Sequence, residues 1–312
     1  MSLIEKAKVY LVGAGPGNPL YLTRKAERCI QKADVILYDQ LVNPFILQLS
    51  KPSAEWIHVG KTPYTKYIKQ ERINALLVEK ANEYQTVVRL KGGDPAIFGR
   101  VAEEVETLKA HDIHFEIVPG VTAASAAVSQ LERGLTERNV STNITFTTGH
   151  FKNNEDNEID ITTLTHNGTL AIYMGIKRLP QLMQQIKSHI KKDFPVAVVF
   201  NASCHNQYIV TGTVTTIVDR IAQLPERLGP GITIVGDVAR EIQSDTVLPL
   251  QSPDIILLQG PKDACLSLAY DLYEQGQVAY LDYQNDNTIH HTQRQKITEL
   301  IQQTRITEII KL

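Results

Sequence analysis

The sequence contains little cysteine, tryptophan or methionine: its 312 residues include three cysteines, one tryptophan and three methionines. Cys29, Cys204 and Cys265 are too scattered to predict a disulfide framework, and none forms a CxxC pair with metal-ligand spacing. Cys29 belongs to an apolar helical stripe, which predicts a buried thiol. We therefore expect neither a disulfide nor a metal site.

Long apolar runs and an excess of one charge are also missing. No segment approaches the roughly 18 consecutive apolar residues of a membrane helix. The first residues, Met1 to Lys6, lack the zones of a signal peptide. The formal net charge is -2 with 21% charged residues, whereas nucleic-acid-binding domains usually carry a clear basic excess. We expect a cytoplasmic protein that binds neither nucleic acid nor membrane.

Strand-like runs alternate with helical periodicity along most of the chain, which predicts an α/β fold with a largely parallel sheet. Pro119-Gly120 marks a break, so we expect a first α/β lobe over 1–120, a second over 121–245 and a small βαβα extension over 246–312. The extension is too short to be expected to fold alone. Strands are predicted at 8–12, 34–38, 86–90, 115–118, 144–148, 170–174, 196–200, 208–212, 232–235, 255–258 and 277–281.

The first strand leads into a glycine-rich turn, Gly13-Ala14-Gly15-Pro16-Gly17. A dinucleotide-binding loop requires GxGxxG, but here the third glycine comes one position early, and Pro16 has no amide hydrogen to donate. The turn can approach a ligand closely or serve only as a structural turn. It is poorly suited to hold a pyrophosphate.

Two polar residues follow apolar runs that read as strands. Lys61 follows one run and Asp39 ends another, so both are expected at strand ends, where open α/β sheets bind ligands. Gly60-Lys61-Thr62 is not a phosphate loop, because Glu55 replaces the required earlier glycine. Lys61 can equally be a surface lysine, and Asp39 can be a turn residue or a ribose-binding acid.

The strongest local signal extends from Arg89 to Arg100 and contains Gly92-Gly93-Asp94-Pro95. Adjacent glycines at a strand end permit close backbone approach, and Asp94 can accept hydrogen bonds from an ammonium group or from ribose hydroxyls. The nearby cations Arg89, Lys91 and Arg100 can face an anionic substrate, although each alone is also typical of a solvated surface.

Taken together, motifs over about residues 8 to 240 resemble the uroporphyrinogen-III C-methyltransferases of the tetrapyrrole methylase family. The motifs that carry the resemblance are Val12–Gly17, Ala33–Val42, Val59–Lys61, Val88–Arg100, Val118–Ala123, Thr148–His150, Ile172–Gly175 and Pro195–Val199. The resemblance implies a two-lobed fold with the methyl donor in the cleft between the lobes, and a homodimer.

The resemblance also implies a reaction. Two methyl groups pass from S-adenosylmethionine, released as S-adenosylhomocysteine, to uroporphyrinogen III, giving precorrin-2 for sirohaem or corrinoid synthesis. By matching position, Asp39 is the proton acceptor and Lys61 the proton donor, and no metal is required. The matching donor-binding residues are Pro16, Gly92, Gly93, Asp94, Ile97, Thr122, Ala123, Met174 and Ala202. The cations expected to bind the substrate carboxylates are Lys66, Arg89, Lys91, Arg100 and Arg138.

Three segments depart from the family pattern: Thr62–Tyr67, Val101–Ala102 and Glu137. All are expected on the tetrapyrrole side, so altered substrate preference or reduced turnover is a hypothesis. Two other functions stay open, an NAD-dependent oxidoreductase and a non-catalytic sensor of S-adenosylmethionine or tetrapyrrole. The tail from Ile255 faintly resembles the opening βαβ unit of uroporphyrinogen-III synthase, which suggests a remnant or a docking element.

Overall fold

The computed structural model describes residues 8–60, 68–150, 158–226, 228–245 and 254–312. The chain divides into two compact units. The first combines Met1–Thr122 with Gln251–Leu312, and the second is Ala123–Leu250. The α/β class predicted from the sequence is confirmed, since every sheet is accompanied by helices of the same unit.

The main sheet of the first unit is parallel throughout its described strands, in the order β3-β2-β4-β1-β5. Its strands are β1 (Lys8–Gly13), β2 (Val35–Tyr38), β3 (Glu55–His58), β4 (Thr86–Lys91) and β5 (His114–Val118). Every residue of β2 is buried, as expected for a strand in a sheet covered by helices on both sides. The helices of this part of the unit are α1 (Arg24–Lys32), α2 (Pro44–Gln48), α3 (Gln70–Glu83) and α4 (Val101–Ala110).

The second unit holds a mixed sheet in the order β6-β7-β10-β8-β9. Its strands are β6 (Asn143–Thr148), β7 (Gly168–Tyr173), β8 (Pro195–Phe200), β9 (Tyr208–Thr213) and β10 (Gly231–Val235). Only the β6–β7 pair is parallel among the strands described here, so the expected largely parallel arrangement does not extend to this sheet. The short connection between β8 and β9 explains one antiparallel pair, because a parallel pair requires a longer crossover. The helices of this unit are α5 (Ala123–Gln130), α6 (Thr162–Thr165), α7 (Leu179–His189) and α8 (Ile217–Ala222).

The carboxyl-terminal residues form a third sheet that belongs to the first unit. Its parallel strands run in the order β12-β11-β13. The elements are β11 (Ile255–Gln259), α9 (Lys262–Glu274), β12 (Ala279–Asp282), α10 (His291–Gln303) and β13 (Ile306–Lys311). Strand β13 was not predicted, because its alternation of apolar and polar residues follows a helix without a clear turn signal.

The third sheet shares one hydrophobic core with the face of the main sheet that carries α1 and α2. The side chain of Gln48 in α2 donates to the Leu281 carbonyl at 2.7 Å and accepts from the Leu281 amide at 3.0 Å. On the other side of the contact, the amide of Trp56 in edge strand β3 donates to Thr292 Oγ1 at 2.9 Å. Helix α2 therefore satisfies backbone groups of the third sheet, and helix α10 satisfies an edge amide of the main sheet, so each helix helps to cover the edge it contacts.

Candidate active site

Three glycine loops meet at the carboxyl ends of β1, β4 and β5. A Cβ atom on Gly13 would lie 2.7 Å from the Gly93 carbonyl and 2.7 Å from Gly120 Cα. Gly15 and Gly93 exchange two backbone hydrogen bonds, of 3.1 and 2.7 Å. Only glycine permits this approach, and the Gly15 amide is already used within the protein, which disfavours a pyrophosphate-binding loop.

The carboxylate of Asp94 holds this group of loops together. Its Oδ1 accepts from the Ala96 amide at 2.7 Å, and its Oδ2 accepts from the Gly120 amide at 3.1 Å. Gly93 has φ of +71°, and no described heavy atom lies within 4 Å of where its Cβ would be. A ligand can therefore approach the Gly93 backbone closely, while Asp94 acts on the shape of the turn.

Asp39 lies at the neighbouring strand end, directly after β2. Its amide donates to the Leu90 carbonyl at 3.2 Å, and its Oδ1 accepts from Arg89 Nη2 at 2.6 Å. The side chain is 30% exposed, so one part of the carboxylate faces Arg89 and another part remains accessible. Gly60, the residue before Lys61, packs against Gln40, where a Cβ would come within 2.5 Å of the Gln40 amide nitrogen.

Arg89 and Lys91 are placed differently from the expectation that they bind substrate carboxylates. Both side chains are buried, because β4 is the central strand of the sheet. Arg89 Nε lies 3.1 Å and Lys91 Nζ 2.8 Å from Glu104 Oε1. This burial argues against direct contact with a polyanionic substrate and makes both cations internal partners of Asp39 and Glu104.

Glu104 was not singled out in the sequence, although a signal for its burial exists. It lies between Val101 and Val105 and precedes Leu108, so it falls on the apolar stripe of α4. A charged residue on such a stripe indicates a buried pair. Its Oε1 also accepts from Gln70 Nε2 of α3, at 3.3 Å.

The charged side chains of this buried group shift one another's pKa values. Burial alone disfavours the charged form of Arg89, but the carboxylates of Asp39 and Glu104 outweigh burial and raise its pKa. Burial and the neighbouring Arg89 charge lower the pKa of Lys91, against the opposing effect of Glu104. Arg89 is therefore a permanent cation, whereas Lys91 holds its proton less firmly than an exposed lysine.

Tyr38 and His58 stand at the ends of β2 and β3, beside Asp39. Their ring centroids are 5.2 Å apart in an edge-to-face contact. Burial raises the pKa of Tyr38 to about 12. Burial, assisted by Lys296 of α10, lowers the pKa of His58. Helix α10 of the carboxyl-terminal segment thus contributes to the electrostatics of this strand end.

The other predicted residues of the first unit have mixed surroundings. Arg100 is exposed, has φ of 55° and pairs with Glu103 through contacts of 2.8 and 2.7 Å. Pro16, Ile97 and Thr122 are half-buried. Lys61, Lys66 and the departure at Thr62–Tyr67 lie outside the described residues. Val101, one of the other departures, begins α4 and packs into the apolar contact between α3 and α4.

The second unit carries the remaining predicted residues. Met174 follows β7 with φ of 53° and is 54% exposed, a combination of backbone strain and apolar exposure that is frequent at ligand sites. Ala202 is buried after β8, and Ala123 begins α5. Arg138 is exposed. Its neighbour Glu137, the third departure, pairs with Arg240 at 2.7 Å.

No helix in the described ranges is long and apolar enough to cross a membrane. Within those same ranges, no group of three or more His, Cys, Asp or Glu side chains is arranged to hold a metal ion.

Comparisons with known proteins give a consistent result. The sequence profile of the tetrapyrrole (corrin/porphyrin) methylases matches residues 8–218. A uroporphyrinogen-III C-methyltransferase from Priestia megaterium is 45% identical over 233 residues, covering 74% of this chain and 98% of the relative. A siroheme synthase from Psychrobacter cryohalolentis is 44% identical, but the match covers only 44% of that longer protein. The crystal structure of a Thermus thermophilus uroporphyrin-III C-methyltransferase complexed with S-adenosylhomocysteine superposes with a TM-score of 0.64 at 34% identity, covering 75% of this chain and 99% of the other.

Proposed function

The chain belongs to the tetrapyrrole (corrin/porphyrin) methylase family, and on that premise we propose that it is an S-adenosylmethionine-dependent methyltransferase that adds two methyl groups to uroporphyrinogen III. The observation that carries this proposal is the match to nearly the whole length of a relative of that activity. The product is precorrin-2, the precursor of sirohaem and corrinoids. The additional half of the siroheme synthases has no counterpart in the match, so only methylation is proposed.

The methyl donor is supported by a similar structure that holds S-adenosylhomocysteine. On this chain, the open backbone at Gly93 suits a ligand that needs close backbone approach. We propose that the donor is bound by Pro16, Gly92, Gly93, Asp94, Ile97, Thr122, Ala123, Met174 and Ala202. Asp94 contributes by shaping its turn, since its carboxylate already accepts two backbone amides.

The sulfonium of the donor is an activated methyl group, so the protein must mainly align a nucleophilic pyrrole carbon and exclude water. A proton must leave the tetrapyrrole as its ring system rearranges. Asp39 is suited to accept it, because its carboxylate is partly exposed at the strand end and is held by Arg89. Lys61 is proposed as the proton donor. The chemistry requires no metal.

The substrate is a polyanion, which cations at the site edge can recognise. Arg100, Arg138 and Lys66 stay proposed as its ligands. For Arg89 and Lys91 we propose the different role of internal counter-ions, as their burial indicates. A homodimer is proposed from the family resemblance alone, and a cytoplasmic location is proposed as well.

Two rival functions make different predictions. An NAD-dependent oxidoreductase would need the first glycine loop to bind a pyrophosphate, but the Gly15 amide is already bonded to Gly93. A non-catalytic sensor would bind the donor without turnover. In calorimetric titrations, we expect the protein to bind S-adenosylmethionine but not NAD.

The deciding experiment is anaerobic incubation with S-adenosylmethionine and uroporphyrinogen III. We expect the absorption spectrum of precorrin-2, or of sirohydrochlorin after oxidation. Asp39→Ala and Lys61→Ala should slow product formation while binding of the donor persists. Donor binding without any product would refute the enzyme proposal, and wild-type rates in both variants would remove these residues from the mechanism.

A further inference from the structure

A cluster of four charged side chains lies behind the proposed proton acceptor. We call Asp39, Arg89, Lys91 and Glu104 the charge cluster. Glu104 is fully buried, its Oε1 accepts hydrogen bonds from Arg89, Lys91 and Gln70, and its Oε2 has no hydrogen-bond partner among the described residues. A buried carboxylate is costly unless it is paired, so its place in the fold calls for a specific partner.

That partner is the guanidinium of Arg89, which Glu104 shares with Asp39. The Nε atom of Arg89 faces Glu104 at 3.1 Å, and Nη2 faces Asp39 at 2.6 Å. The remaining donor, Nη1, points to the Leu37 and Leu90 carbonyls at 3.4 and 3.2 Å. Because the guanidinium is planar and rigid, fixing its Nε side fixes the direction of the Nη2 donor as well.

The charges of the cluster also balance. Asp39 and Glu104 contribute two negative charges, and Arg89 and Lys91 contribute two positive charges. With Glu104 neutral, Asp39 would be the only anion facing Arg89. A carboxylate held by an uncompensated cation is a weaker base.

We propose that Glu104 is a positioning residue for the methyl-transfer reaction: it anchors Arg89 and offsets its charge, so that the Asp39 carboxylate is oriented yet remains basic enough to take a proton. This inference rests on the proposed function of Asp39. The described groups that face the cluster are Gln70 from α3 and, near Asp39, His58 from β3.

The test uses Lys91→Met as a background, because that substitution removes the one cluster cation that can lose its proton. In Lys91→Met the cluster carries one excess negative charge, and in Lys91→Met/Glu104→Gln it is neutral again. We expect the acidic limb of the kcat–pH profile to lie about one pH unit lower in the double variant than in Lys91→Met. An unchanged limb would overturn the proposal. Glu106→Gln, an exposed carboxylate on the same helix, is the matched control and should leave the profile unchanged.

A second comparison remains decisive if Lys91→Met does not fold. The double variant has no buried charge without a partner of opposite sign, and a neutral amide oxygen replaces the carboxylate that holds Arg89 Nε, which weakens the anchor. We expect its kcat to fall roughly tenfold relative to wild type, with KM for S-adenosylmethionine within about twofold. Equal kcat values would contradict the positioning role, and so would a loss confined to KM.

Failure of the proposed function is recognised separately. If the wild-type protein makes no precorrin-2, the enzyme proposal fails, and the cluster is then judged by titration without substrate. For this, aspartate labelled with ¹³C at the carboxyl carbon is followed by NMR, and Asp39→Asn assigns the signal. The Asp39 signal should titrate at lower pH in the double variant than in Lys91→Met, and coincident titrations would refute the coupling.

Discussion

Replacing Gln48 with leucine probes how the third sheet is attached to the main sheet. Leucine has a similar size, but it removes both partners of the Leu281 backbone, whose hydrogen bonds to Gln48 measure 2.7 and 3.0 Å. Both residues are buried, so water cannot replace the lost contacts. Each unsatisfied buried group costs about 1–3 kcal/mol.

The two unsatisfied groups together, reduced by the gain from burying a more apolar side chain, predict a loss of about 1–4 kcal/mol in the free energy of unfolding of the first unit. The corresponding decrease in Tm is roughly 3–12 °C. Thermal and urea unfolding measure this loss, and hydrogen exchange of the β12 amides should become faster. Activity per folded molecule should be unchanged, because the Gln48 side chain is bonded to Leu281 of β12 and not to Asp39 or the glycine loops.

Gln181→Leu is the matched control, because Gln181 is exposed on α7 of the other unit. It should change the free energy of unfolding by no more than about 0.5 kcal/mol. If Gln48→Leu is equally mild, the reasoning is wrong, and the third sheet is held mainly by the apolar core. If the free energy of unfolding falls but hydrogen exchange of the β12 amides does not become faster, the loss does not come from the hydrogen bonds between Gln48 and Leu281.

Other substitutions test the site and the pH dependence. In Gly120→Ala the new Cβ would come within 2.3 Å of the Gly93 carbonyl, so the loops must separate. We expect the affinity for S-adenosylmethionine to fall at least about tenfold in calorimetry, and unchanged affinity would mean that these loops do not bind the donor. Arg100→Ala should raise KM for uroporphyrinogen III and leave donor affinity unchanged, which steady-state kinetics can check; an unchanged KM would exclude Arg100 as a ligand. Burial lowers the pKa of Lys262 to about 8. Between pH values of about 8 and 10.5, the Lys262 amine is protonated in the unfolded chain but not in the folded chain. The free energy of unfolding therefore rises with pH across that window. Lys262→Met should remove this rise, measured as urea unfolding at several pH values, and the same rise in both proteins would contradict the assignment.

Much of the fold follows from local pattern. Strands β1 and β2 are largely apolar runs, β4 begins with one, and α3 and α4 show helical periodicity, so each was predictable to within about two residues. Helix α2 was not predicted, because its five residues are too few to show a helical periodicity of apolar side chains. The antiparallel pairs of the second sheet were not predicted either, since the direction of a strand depends on which neighbour it meets.

The candidate site, like the fold, is only partly predictable from the sequence. The glycines that bring the loops together, and Asp94 that ties them, are recognisable in the sequence because the residue types carry the geometry. The partners of Arg89 and Lys91 are not recognisable in the sequence. A cation next to a glycine turn is usually a surface residue, and its burial follows only once its strand is known to be the central one. Glu104 is buried for the same reason, since α4 places it against that strand.

The sequence by itself determined the α/β class, the family and the positions of the strand-end residues, because these depend on runs, spacing and residue type within short segments. Only the tertiary structure decided that the carboxyl-terminal sheet shares a core with the first unit, and that Arg89 and Lys91 face inward toward Asp39 and Glu104. The physical reason is distance along the chain. Gln48 and Leu281 are separated by 233 residues, and no local pattern records which remote backbone group will satisfy a buried side chain.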